Sequence, residues 1–216
     1  MNKLKAEKES EKLEAKESFL HVVHEHRWLA VAGCTWNILQ ANNGSNEPRK
    51  EADRLLPDVV EAVFDSVLLH GRSLIDFYTK CKPSGTDIML LDFDGLGIKT
   101  NLKENLEGYK KSIEVHSLHL TAWRHAPYRA LKAKGIDANK KNLNWNEKIP
   151  LLVESILDAL KCASERDSKW KPAFSTLHDA CRNRYRDKRF PWPAELGEKD
   201  AVRCYLESLG IVWVHV

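Results

Sequence analysis

The stretch WNEKIPLLVESILDALKCASE, residues 145–165, carries the clearest fold signal in the chain. Ile149, Leu152, Val153, Ile156, Leu157 and Leu160 recur at the three- and four-residue spacing of one helical face. A strand would need alternation with period two, and that is absent here. Pro150 falls near the first turn, where a missing N–H is tolerated. The spacing therefore predicts a helix over about Trp145 to Glu165, and the same periodicity organises the chain on either side.

The first 40 residues read as one long helix. Glu and Lys dominate through Lys16, so that part is solvated. Phe19, Leu20, Val22, Val23, Trp28, Leu29, Val31 and Trp36 then raise the apolar content. ANNGSNEP, 41–48, breaks the pattern. A second helix is expected from about Glu51 to Tyr78, with Val60, Val63, Phe64, Val67, Leu74, Ile75 and Tyr78 on one face. CKPSGTD, 81–87, ends it. A third helix spans about Leu102 to His125, before Pro127. A fifth fits Pro172 to Arg186 and a sixth Glu198 to Leu209, with FPWPAELG as a rigid connector between them. IMLLDFDGLG is either a short strand or a buried helical turn. The β-branched tail GIVWVHV is the one candidate for a short C-terminal strand, and IMLLDF is its only obvious partner. The expected fold class is all-α: a helical bundle with a long N-terminal helix. It is read as a single domain over 1–216, with a core bundle at about 15–166 and a helical extension at about 170–216.

The 216 residues are 43% apolar and 30% charged, which suits a globular chain and excludes wholesale disorder. A net charge of +3 is too balanced to predict nucleic-acid binding by itself. The opening MNKLKAEKES has no apolar signal core, and no apolar run approaches the ~20 residues of a membrane span. Five scattered cysteines without a CxxC pair read as reduced thiols. These features point to a cytoplasmic protein with no membrane partner. Walker A, GxGxxG and GxSxG patterns are absent.

Three clusters carry chemistry. In IEVHSLHLTAWRH, 113–125, helical placement sets His116 and His119 inside an apolar arc with Ile113, Leu120 and Trp123, while Glu114, Ser117, Thr121 and His125 take the opposite face. Each is either a satisfied core histidine or an acid–base group. His21-x2-His24 repeats the spacing, but no Cys pair, ExxH or HExxH accompanies either pair, so no metal ligand and no cofactor are assigned. His26 reads as surface. In HGRSLIDFY, 70–78, Arg72 and Asp76 lie one turn apart, either as an i,i+4 ion pair or as a rigid fork for phosphate. Gly71 on the apolar face suggests close approach of another helix. In CRNRYRDKRF, 181–190, basic residues surround Tyr185, which suits either a nucleic-acid backbone with a stacked base or a charged helix end. Asp92 and Asp94 read as turn formers.

LLHGRSLIDFY, TDIMLLDF and HSLHLTAWRH together resemble a loosely defined group of bacterial helical proteins. The group shows an Arg-x-Leu-x-Asp-Phe helix, an Asp-rich turn before Asp-Phe, and His-Leu-Thr followed by Arg. The matching positions are Arg72, Leu74, Asp76 and Phe77, then Asp87, Asp92 and Phe93, then His119, Leu120, Thr121 and Arg124, within residues 60–125. The group looks similar to the HEPN superfamily. That resemblance implies an α-helical bundle, often a homodimer, in toxin–antitoxin or phage-defence systems. Active members are metal-independent ribonucleases with Arg-x4-6-His, in which the histidine does acid–base chemistry and the arginine supports the phosphate. Carried onto this chain, His119, His116 and Arg72 are the expected catalytic group, with Arg124, Thr121 and Asp76 binding an RNA substrate. This sequence departs from the motif in having Lys110 and Lys111, not an arginine, ahead of His116. The alternative is a non-catalytic interaction or regulatory protein with a protein partner, in which the His, Arg and Asp network is structural.

Overall fold

The computed structural model describes residues 2–43, 56–81, 88–123, 145–187 and 192–211, with side chains from 18 to 41, 59 to 81, 88 to 114 and 145 onward in those ranges. Six α-helices follow in order: α1 Asn2–Asn43, α2 Leu56–Thr79, α3 Thr100–Trp123, α4 Trp145–Glu165, α5 Lys171–Arg186 and α6 Lys199–Ser208. The bundle is all-α, and no strand occurs among the described residues. The candidate strand GIVWVHV lies outside the described residues from 212 on.

α4 is the centre of the bundle. It packs against α1, α2, α3 and α5, and α1 and α2 pack on each other as a pair. Its predicted stripe is buried in full, and Ala159 and Ala163 are buried beside it. This helix approaches its neighbours at two glycines. A Cβ at Gly33 of α1 would stand 3.0 Å from Val153 Cγ2 and 3.2 Å from the Tyr185 ring. One at Gly71 of α2 would stand 3.1 Å from Leu152 Cδ2. The close approach expected at Gly71 is therefore made by α4, and Gly33 provides a second one.

The ambiguous IMLLDFDGLG is a helical turn, not a strand: a 3-10 turn spans Leu90–Asp92. The Asp92 carboxylate accepts the Met89 N–H at 2.8 Å, and Asp94 takes a left-handed φ of 57°. Both aspartates thus form the turn, as expected of them. The turn drives Phe93 into an aromatic cluster, 4.8 Å from Trp170, 5.5 Å from Phe174 and 5.9 Å from Phe77 between ring centres. Phe19 of α1 closes the cluster edge-on to Phe174 at 5.4 Å. Edge-to-face rings contribute roughly 0.5–1.5 kcal/mol per pair beyond area burial. Asp94 also meets Lys169 at 3.2 Å, tying the turn to the α4–α5 connection.

α6 is pinned from two sides. Tyr205 shares a 2.6 Å hydrogen bond with Thr176 of α5, and Arg27 of α1 donates to the Gly197 carbonyl at 3.0 Å. Trp192 donates to Leu196 O at 2.8 Å, and Arg27 lies over its indole.

The glycine contacts make a paired prediction for denaturant midpoints. Gly33→Ala meets a packed ring and a β-branched methyl, so overpacking exceeds the helix-propensity gain and stability falls by about 1 kcal/mol or more. Gly108→Ala, in α3 with nothing within 4 Å, raises stability by about 0.5–1 kcal/mol. Equal effects of the two substitutions on the urea midpoint would contradict close packing at Gly33.

Candidate functional site

The polar residues of α2 face two neighbours. Toward α3 they build a ladder of alternating charge. Lys80 Nζ lies 3.3 Å from Asp76 Oδ2, and Lys110 Nζ lies 2.7 Å from Asp76 Oδ1 and 3.9 Å from Glu114 Oε1. Arg72 Nη2 completes the row 3.8 Å from Glu114 Oε1. Arg72 and Asp76 therefore hold different partners and not each other. The guanidinium is half exposed, so its pairing with Glu114 contributes at most a few tenths of a kcal/mol. It leaves donors free to meet a ligand.

Toward α1, a cavity of about 440 Å³ opens between the two helices. Val22, Leu74, Phe77 and Ile88 supply apolar wall, while His21, Glu25, Ser73, Asp76 and Lys80 supply polar groups. At its margin His70 Nδ1 donates to Glu25 Oε2 at 2.8 Å. Partial burial alone raises the Glu25 pKa, but the His70 hydrogen bond, the charges of His70 and His24, and the Ser73 hydroxyl outweigh it. The carboxyl is held below its usual range, so it is ionised at neutral pH and orients the imidazole. The indole of Trp28 stacks on His70 with planes 14° apart, and His24 meets both rings edge-on.

His26 is the main correction to the sequence reading. It is not a surface residue but only 2% exposed, on the line Phe19, Val22, His26, Leu29 and Gly33 that faces the core. Nδ1 is 2.7 Å from the Val22 carbonyl, which can only accept, so Nδ1 carries the proton. Nε2 is left as the acceptor for the Tyr78 hydroxyl at 2.8 Å. Both ring nitrogens are satisfied in the neutral form. Burial is the largest influence on the imidazole pKa and lowers it to about 4, against smaller upward pulls from the Val22 bond and Glu25.

The other predicted site residues divide by position. His116, His119 and Thr121 lie in α3, which continues to Trp123, so they keep helical spacing; their side chains, and Arg124 entirely, lie outside the described residues. Arg72 and Asp76 meet α3 through Glu114 and Lys110, two and six residues ahead of His116. In the 181–190 cluster Tyr185 is buried against Gly33, so it is no platform for a base, and Arg186 is forked onto Glu154 of α4. That cluster is the charged end of a packed helix through Arg186; residues 188–190 lie outside the described residues. His21 and His24 are exposed on α1, and no three His, Cys, Asp or Glu side chains converge as a metal-ligand set among the described residues. The Glu25–His70 pair, 45 residues apart in the chain, had no local sequence signal.

Comparison with family models, with curated proteins and with solved structures gives no match to this chain.

The buried histidine makes stability pH-dependent with a definite sign. Its folded pKa is about 4 against about 6.5 unfolded, so the unfolded chain binds the extra proton between those values. Stability is intact above pH 6.5 and lost as pH falls through that window, by on the order of 3 kcal/mol at its acid end. The double substitution His26→Leu/Tyr78→Phe, which removes both polar partners, flattens that limb of a stability–pH curve. An unchanged limb would show that another group is responsible.

Proposed function

We propose that this chain is a HEPN-like helical protein that engages RNA and cleaves it without a metal, as in toxin–antitoxin or phage-defence systems. The observation that supports this is the place of Arg72. Its pairing with Glu114 holds a half-exposed guanidinium against α3, two residues ahead of His116 and five ahead of His119. Those separations are about 3 and 7.5 Å along the helix axis but about 160° and 140° around it, so by helical placement Glu114 and Arg72 share the face of Thr121 and not that of His116 and His119. A planar guanidinium suits bidentate contact with a phosphodiester, and Arg124 would supply the second cation. His119 would take the 2′-hydroxyl proton, and His116 would protonate the leaving 5′-oxygen. Imidazole suits both steps because it titrates near neutral pH. Thr121 and Asp76 would complete substrate contacts. Lys110, one of the two lysines ahead of His116, is engaged by Asp76, and a lysine is no bidentate fork, so that role would fall to Arg72.

One observation favours the non-catalytic alternative. His26, the one histidine seen buried among the described residues, bonds wholly inside the protein, as in a network that fixes helix register. The two readings separate on single-stranded RNA incubated with the full chain in EDTA. Catalysis predicts cleavage that His119→Ala lowers by about 10²–10⁴-fold. It also predicts that Arg72→Gln weakens activity more than Arg72→Lys does. Cleavage that His119→Ala leaves untouched overturns the mechanism. Absence of both binding and cleavage leaves the interaction protein.

A further inference from the structure

A second cavity, of about 390 Å³, opens where α1 meets the connector and the start of α6. Four nitrogen-bearing side chains line it: His21, His24 and Arg27 from α1 and Lys199 from α6. Glu198 is the one acid in the lining. His21, His24 and Arg27 advance in steps of three, which sets them within an arc of about 120° on one helix. The cations here are paired differently from the others in the bundle. Arg72, Lys80, Lys110, Lys169 and Arg186 each meet a carboxylate. Arg27 meets none among the described residues; its contacts are the Gly197 carbonyl at 3.0 Å and the Trp192 indole. Its charge also reaches a second guanidinium: burial lowers the Arg184 pKa and Arg27 lowers it further, against an upward pull from Cys34. Lys199 and His21 hold no ion-pair or hydrogen-bond partner among the described residues, and His24 has ring contacts but no hydrogen bond.

We propose that this cavity binds a small phosphate monoester, its phosphoryl head on Arg27, Lys199 and the two imidazoles and its apolar body against the remaining wall. Gly197 and Trp192 hold the Arg27 guanidinium in place before any ligand arrives, so its planar fork loses little freedom on meeting an anion. One of its N–H groups goes to Gly197, and the others are left for a ligand. A carboxylate has two oxygens, which one arginine fork satisfies. A phosphate monoester has a third terminal oxygen, and Lys199 and the imidazoles supply donors for it. A neutral imidazole still donates one ring N–H, so the two histidines serve in either charge state. Val23, Leu196 and Val202 are buried along the cavity and make that wall apolar, which suits hydrocarbon or an aromatic ring next to the phosphate. The 5′ end of an RNA carries the same head group. The volume, at the low end of the roughly 300–1,000 Å³ of ligand pockets, favours a free small molecule over a polynucleotide. None of these residues belongs to the set assigned to RNA cleavage, so the two readings stand or fall separately.

The test is an NMR titration of the full chain with phenyl phosphate at neutral pH. Saturable shifts are expected at His21, Arg27, Gly197 and Lys199, with half-saturation at or below about 1 mM for a ligand of this size. Arg27→Gln weakens binding by about tenfold or more, and Lys199→Gln by about threefold. Lys199 is exposed and holds no partner in the fold, so a loss there is not a loss of structure. Lys161→Gln, an exposed lysine of α4 outside the lining, changes nothing. Benzoate, with the same ring on a carboxylate, binds about tenfold more weakly, and so does inorganic phosphate, which has no apolar body. Absence of saturable shifts at these residues up to about 10 mM phenyl phosphate overturns the proposal. So does benzoate or inorganic phosphate binding as tightly as phenyl phosphate, or binding that both Arg27→Gln and Lys199→Gln leave unchanged. A response to a 5′-phosphorylated RNA with phenyl phosphate inert overturns it too, by making the ligand RNA.

Discussion

The close approach of α4 to Gly33 and Gly71 sets the geometry of everything else. A side chain at either position would push α4 out of the cleft between α1 and α2. With α4 seated, α1 and α2 are held at a fixed separation. That separation brings His26 within reach of Tyr78, and Glu25 within reach of His70. It also fixes which face of the α1–α2 pair turns outward. The same seating puts Tyr185 of α5 against Gly33, so that a residue suited to stacking on a base is spent on packing. The polar clusters are thus consequences of one packing arrangement.

The helices after α1 were legible because a 3.6-residue apolar period is written into them, whereas α1 was read from its charged run and the apolar residues that follow it. α4 runs over the residues its stripe predicts, and α5 and α6 agree with expectation to within one residue at each end. α3 is helical where the HSLHLTAW segment was placed, within two residues at each end. IMLLDFDGLG was undecidable, because four consecutive apolar residues suit a strand or a turn equally. The deciding facts are the Asp92 carboxylate on the Met89 N–H and the aromatic pocket that takes Phe93. The second of these is a long-range contact that no local pattern encodes.

The candidate site was less legible for a related reason. Arg72 and Asp76 are one turn apart, which makes a mutual ion pair the natural local expectation. Lysines and a glutamate on α3 and beyond α2 compete for both of them. Glu25 and His70 come from different helices and share no motif. His26 was readable, since it falls on the line of Phe19, Val22, Leu29 and Gly33, yet two neighbouring exposed histidines obscured it. Three polar clusters of α1 and α2 differ in use: a sealed His26–Tyr78 bond, an oriented Glu25–His70 pair beside a cavity, and an outward charge ladder that ends on Arg72. Of these three, only the last two touch solvent.

Amide hydrogen exchange of the native chain tests the central role of α4 most directly. If α4 is the wedge around which the bundle is built, its amides from Leu152 to Ala163 exchange only by global unfolding. Their opening free energies then equal the stability measured by denaturant, and the amides of α6 open at lower cost. Exchange of the α4 amides through a cheaper local opening, with α1 and α2 still protected, would contradict the account.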